Sequence, residues 1–345
     1  MSIASLVLVM AGLAAYAVLA GADFGAGVWD LTAGGARRGG PVRGMVQRSM
    51  SPVWEANHVW LIFVLVVLWT AFPRVFGSVF STLYVPLFLA VGGIIFRGAA
   101  FALRGHAATI GEARVLGATF ALASLLVPFC LGAALGGIAS GRVPLGNAAG
   151  DMWSSWLNPT SLTVGVLAVI TGAHLSAVYM AADSVRAGVD DLQAAFRTRA
   201  LASGVLAGAL AIGALAVLSA DAPDLWAGLH HGGGLACVAI SGVAGAATLA
   251  LVGARRFGAA RVTAAGAVVA VVVGWAVAQS PYLLPDQITL DQAAAPDATL
   301  TALLVSLGVG ALVLIPSLIL LYRLVLAGAL DQEYEPLDQR FTPDP

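Results

Sequence analysis

The chain has 345 residues, 59% of them hydrophobic and 10% charged, with a formal net charge of −1 and a mean hydropathy of +0.91. A water-soluble chain of this length carries about a quarter charged residues, so a soluble globular protein is excluded. The near-neutral balance also leaves no basic footprint for nucleic acid. The apolar residues fall in runs of about twenty, the length that crosses a hydrocarbon layer about 30 Å thick. Backbone polar groups in that layer need internal partners, which makes the runs helices.

Spans are expected near residues 3–22, 53–72, 76–96, 115–136, 161–181, 200–220, 233–253, 262–279 and 299–322. The fold class is therefore an all-α integral membrane protein of about nine transmembrane helices, read as two helical bundles plus one extra helix. Residues 1–330 form the polytopic domain and 331–345 a short cytoplasmic tail with Glu333, Glu335 and several prolines. No basic segment precedes the first apolar run, so that run reads as a retained helix and not a cleaved signal.

Helix one carries Gly21-Ala22-Asp23-Phe24-Gly25-Ala26-Gly27 near its inner end. Gly21 and Gly25 make a small-xxx-small face suited to close helix contact. No strand precedes these glycines, which excludes a dinucleotide loop. Asp23 either binds a donor on a neighbouring helix or anchors the helix end. Helix two opens Ser51-Pro52-Val53-Trp54-Glu55-Ala56-Asn57-His58-Val59-Trp60, with Ser51 as N-cap and Pro52 as first helical residue. Glu55 and His58 are three residues apart, as Asn57 is from Trp54 and Trp60, spacings that place each pair on neighbouring positions of a helix surface. Ionisable side chains at membrane depth are rare and mark pathways for protons or ions. Glu55, with Trp54, Asn57 and His58 beside it, reads as a proton entry point. The alternative is a carboxylate stabilised by the helix N-terminus, worth about 0.3–1 kcal/mol.

Arg97 ends the apolar run of helix three, where it either pairs with Asp23 or Glu55 or snorkels to the headgroups. Cys130 and Cys237 lie on helices four and seven as packing residues. His174 on helix five reads as a structural histidine, and His230 and His231 fall in an outer loop. These histidines supply no evident facing pair of axial ligands for a haem. All 17 basic residues are arginine. With the N-terminus outside and the C-terminus inside, 15 of them fall on the inner side, leaving Arg74 and Arg142 outside, a strong positive-inside asymmetry.

These residues resemble subunit II of cytochrome bd-type quinol oxidases. Trp54-Glu55-Ala56-Asn57-His58-Val59-Trp60-Leu61-Ile62 is similar to the family's tryptophan–acid–glycine–asparagine–x–valine–tryptophan segment, and the Asp23 stretch to its first-helix aspartate–glycine motif. Phe96-Arg97-Gly98, Leu157-Asn158-Pro159 and the segment from Thr289-Leu290 to Asp297-Ala298-Thr299-Leu300 follow in register. The chain departs from the family at Ala20, where a second acid is usual, at Ala56 for glycine, and at His58 for a glutamate or glutamine. The resemblance implies a subunit of a bacterial plasma-membrane enzyme that oxidises quinol, reduces dioxygen to water and adds to the proton gradient. It implies haems b and d and the quinol site on the partner, subunit I, with no cofactor on this chain. Membrane lipids and quinone are its surroundings, and there is room for a small accessory subunit. In this scheme Glu55, His58, Asn57 and Trp54 serve proton transfer, and Asp23, Arg97 and Trp60 the structure or the interface. The rival reading is a secondary transporter, whose midplane site would be built from broken helices. No span shows paired glycine or proline interruptions with a polar residue at its centre.

Overall fold

The computed structural model describes residues 1–50, 54–105 and 107–327. Among them are nine helices long and apolar enough to cross a membrane. In chain order these are α1 (Ser2–Leu31), α3 (Trp54–Ala71), α5 (Tyr84–Arg104), α6 (Ile110–Ala139), α7 (Pro159–Arg186), α8 (Asp190–Asp221), α10 (Gly232–Gly253), α11 (Phe257–Gln279) and α13 (Asp297–Leu326). Shorter helices α2 (Ala36–Met50), α4 (Pro73–Thr82), α9 (Pro223–His230) and α12 (Leu290–Ala293) lie between them, with a hairpin of β1 (Tyr282–Leu284) and β2 (Ile288–Thr289).

Local sequence explains several boundaries. Thr109 caps α6, its hydroxyl accepting from the Glu112 amide at 3.1 Å, and Asn158 caps α7 by accepting from the Ser161 amide at 2.9 Å with Pro159 next in line. Helices α1, α3, α5 and α6 pack as one group and α7, α8, α10 and α11 as another, with α1 and α6 both lying along α7. The seam between the groups is close because Gly25 of α1 meets the Gly172 carbonyl of α7, where any Cβ would overlap it. Helix α13 stands apart, touching chiefly α3.

Three expectations need correcting. The first helix does not end near residue 22 but continues to Leu31, because Asp23 and Asp30 both find buried partners. The third span is not 76–96: α4 ends at Thr82, Leu83 leaves helical geometry, and α5 begins at Tyr84 with Pro86 in its first turn, where a proline costs no internal hydrogen bond. The stretch after the first span, expected from its Arg37, Arg38, Arg43 and Arg48 to be an inner loop, contains the helix α2, which buries Val42, Met45, Val46 and Met50 along one face. The proposed cap at Ser51-Pro52 and the tail 331–345 lie outside the described residues.

At the end that carries Trp156 the hairpin and α12 close the first bundle. Leu284, Ile288 and Ala293 join its core, and the Gln287 amide donates to the Val143 carbonyl at 3.0 Å and accepts from the Leu145 amide. At the arginine-rich end, Asp183 of α7 accepts from Ser49 of α2 at 2.9 Å and pairs with Arg186 and with Arg261 of α11.

Candidate functional site

Four helices converge on Asp23. Because α1 runs on past it, Asp23 sits well inside the helix, 6% exposed, and not at its inner end as expected. Asn57 of α3, 2% exposed, donates from Nδ2 to Asp23 Oδ2 at 2.5 Å. Tyr322 of α13 donates its hydroxyl to Asn57 Oδ1 at 3.0 Å. Arg97 of α5 completes the cluster.

Arg97 does not snorkel. The longer reach of α5 to Arg104 leaves it within the helix, 1% exposed. It donates from Nη2 to the Asp23 backbone carbonyl at 2.9 Å, not to the carboxylate, and from Nε to Ser124 Oγ of α6 at 3.0 Å. The Ser124 hydroxyl in turn donates to the Phe120 carbonyl at 2.7 Å. The guanidinium carbon lies 4.6 Å from the Phe24 ring centre and 5.1 Å from that of Phe120. Two desolvated cation–π contacts of about 2 kcal/mol each offset part of the cost of burying this charge.

His58 is wedged among three rings: stacked on Phe24 at 5.7 Å and edge-on to Tyr16 at 6.0 Å and Trp54 at 6.2 Å. Both its ring nitrogens and the Tyr16 hydroxyl are buried without a hydrogen-bond partner among the described residues. Trp54 fits over Gly98 of α5, where a Cβ would come within 3.3 Å of its ring, so the Phe96-Arg97-Gly98 segment seats both the arginine and the tryptophan. Trp60 is half-buried beside the Tyr16, Ala20 and Phe24 stripe. Glu55 is exposed in the first turn of α3, and no hydrogen bond or ion pair reaches it among the described residues. The structure thus gathers Asp23, Asn57, Arg97, His58 and Trp54, keeps Trp60 at their edge, and leaves Glu55 at the surface of the same helix.

A second polar centre lies two turns further along α1. The Asp30 carboxylate, 3% exposed, accepts from Arg43 Nε of α2 at 2.9 Å and from Arg104 Nη1 and Nη2 of α5 at 2.5 and 3.3 Å. Arg43 also donates to the carbonyls of Gly34 and Gly35. Asp30, Ser124 and Tyr322 were not singled out in the sequence. Asp30 could have been, since it lies seven residues from Asp23 and so on the same face of a helix. His174 is held through Nδ1 against the Ala200 carbonyl at 3.0 Å, as a structural histidine would be.

Nine apolar helices among the described residues, with a buried carboxylate and a buried guanidinium inside the first and third of them, define a multi-pass membrane protein that keeps ionisable groups within its spans. A family model described as cytochrome bd terminal oxidase subunit II matches residues 1–325. The chain belongs to the cytochrome bd terminal oxidase subunit II family, and is a multi-pass protein of a bacterial membrane. It is 29% identical over 164 residues to cytochrome bd-I ubiquinol oxidase subunit 2 of Escherichia coli strain K12, a match covering 46% of this chain and 42% of that protein. It is 30% identical over 90 residues to cytochrome bd ubiquinol oxidase subunit 2 of Bacillus subtilis, covering 26% and 27%. These matches thus span less than half the length of either relative. In three dimensions the chain is similar to a chain of the bd oxidase from Geobacillus thermodenitrificans, with a TM-score of 0.76 and 26% identity over 94% of this chain and 98% of that one.

Proposed function

We propose that this chain is the haem-free subunit of a quinol:dioxygen oxidoreductase, supporting a haem-bearing subunit I and delivering protons toward it from the arginine-rich side. Haems b and d and the quinol site belong to the partner, and the oxidase adds to the proton gradient. Membrane lipids and quinone surround the complex. Family membership supports the assignment of the enzyme. The arrangement on α3 supports the proton role: an exposed acid, Glu55, stands two residues from Asn57, whose amide touches the buried Asp23 carboxyl.

In this reading Glu55 takes protons from water at the surface. Trp54 and His58 line the way inward, and Asn57 orients the Asp23 carboxyl. Arg97 holds a fixed positive charge at the backbone of Asp23, which steadies the site without occupying the carboxylate oxygens. Trp60 packs the edge of the cluster. Oxygen reduction consumes protons at a buried centre, so their delivery limits turnover when the entry acid is lost.

Glu55→Gln removes the titrating group while keeping size and most hydrogen bonding. Quinol-driven oxygen consumption per assembled haem is expected to fall by about tenfold or more, with assembly intact because no hydrogen bond or ion pair reaches Glu55 among the described residues. Glu55→Asp should retain more activity. If Glu55 is only a helix-terminus charge, the loss is about 0.3–1 kcal/mol of stability with turnover unchanged. Wild-type turnover in the Gln variant across pH removes Glu55 from the mechanism.

A further inference from the structure

We infer that Tyr322, on the last helix, is a positioning residue for the Asp23 carboxyl and acts through Asn57. The inference rests on the proton-handling role proposed for the cluster. It starts from the chemistry of a primary amide, which has an accepting oxygen at one end and a donating nitrogen at the other. An ionised carboxylate can only accept, so Asp23 in that state demands the Nδ2 end of Asn57, as the 2.5 Å contact has it. The amide oxygen is then turned away into a buried site and requires a donor of its own. The Tyr322 hydroxyl supplies it at 3.0 Å.

The three groups therefore form one hydrogen-bonded chain with a fixed sense. Tyrosine donates to amide oxygen, and amide nitrogen donates to carboxylate. Without the hydroxyl, the amide must either leave its oxygen unsatisfied or turn and present that oxygen to the carboxylate. Protonated Asp23 is released from this conflict, because a carboxylic acid can itself donate to a turned amide. Tyr322 thus acts on the proton equilibrium of Asp23 without touching it.

The placement of Tyr322 makes this more than a local contact. Helix α13 is fixed at its other end, where Leu300 and Leu303 enter the core and the Ala295 amide donates to the Ala71 carbonyl of α3 at 2.8 Å. Between the two ends Val305, Val309, Leu312 and Val313 are exposed. Tyr322 is the point at which this outlying helix engages the carboxylate cluster. The other titratable or charged groups around the cluster are Arg97 of α5, Tyr16 of α1, His58 of α3 and Tyr179 of α7, with Glu55 exposed on α3. Among the described residues, Arg97 reaches only the Asp23 backbone carbonyl and Ser124 by hydrogen bond, and the Tyr16 hydroxyl and the His58 ring nitrogens have no hydrogen-bond partner. None of them substitutes for the missing donor.

The test uses the intact oxidase complex carrying Tyr322→Phe. Infrared difference spectra are taken across pH, with the Asp23 band identified as the one lost in Asp23→Asn. The band is expected to move in Tyr322→Phe, and turnover per haem to fall by about threefold to tenfold, the worth of one neutral hydrogen bond. The band shift should vanish when Asn57 is first changed to Ala, or to Ser if the alanine variant does not assemble. An unmoved Asp23 band, or an equal shift with and without Asn57, overturns the inference and leaves Tyr322 as an anchor for α13. Wild-type turnover in Asp23→Asn together with a moved band in Tyr322→Phe would instead sink the proton-handling role and keep the positioning one.

Discussion

Replacing Asp30 by Asn tests whether one carboxylate fastens α2 and the end of α5 to the first helix. The carboxylate is 3% exposed, and its partners Arg43 and Arg104 are 15% and 10% exposed. This triad therefore belongs with buried ion pairs and not with surface pairs, whose median worth is about 0–1 kcal/mol. Removing one member of a buried pair costs about 3–5 kcal/mol, because the remaining charge is left uncompensated. Here two guanidiniums are left, and the amide NH2 meets them donor to donor. Arg43 keeps its bonds to the Gly34 and Gly35 carbonyls at 2.6 and 3.3 Å, which moderates the loss. We expect about 3 kcal/mol from denaturant unfolding of the detergent-solubilised complex. Arg104→Gln removes two of the three contacts and should cost nearly as much. The double variant should lose far less than the sum, since each change removes the same interaction. A loss below about 0.5 kcal/mol in Asp30→Asn, or strict additivity in the double variant, would refute this account of how α2 is held.

Reporter fusions at Arg43 and Arg256 are expected to lie inside the cell and fusions at Trp156 and Asp286 outside, as the arginine asymmetry requires; an outside signal at Arg256 would reverse the assignment for the second bundle. Gly25→Leu should abolish assembly or lower stability by more than about 3 kcal/mol, because its side chain would have to enter the Gly172 backbone and overpacking on that scale displaces whole helices. A folded Gly25→Leu complex of wild-type thermal stability would show that the seam is looser than drawn.

The hydrophobic runs placed all nine membrane helices, because burial in lipid leaves little choice of secondary structure. They misplaced the ends wherever a charge lay inside a helix. Asp23 and Asp30 look like the end of a span until Asn57, Arg43 and Arg104 are known to meet them, and those contacts join residues far apart in sequence. The short helix α4 merged with α5 for the opposite reason: Val75 and Val79 make it apolar enough to blend into the run that follows. The α2 helix went unread: Val42, Met45, Val46 and Met50 have helical spacing, but its arginines and glycines give it the composition of a loop. A meeting of Asp23 and Arg97 was one of the alternatives the sequence offered. Tyr322 could not, because a tyrosine near the end of the last span resembles any interfacial aromatic.

The seam at Gly21, Gly25 and Gly172 bears on how the two bundles can move. In a rocking-bundle transporter one helical group tilts against the other, opening the site to each side in turn. Such a motion needs a smooth sliding surface between the groups. Here the backbone of α1 is notched into the backbone of α7, with Gly25 set against the Gly172 carbonyl and Gly172 against the Gly21 carbonyl, so tilting would first require the helices to separate. The two bundles therefore work as one stiff frame. Under the proposed proton-delivery role, a proton crossing part of this frame would travel by side-chain rotation and by exchange between neighbouring groups, while the helices stay where they are.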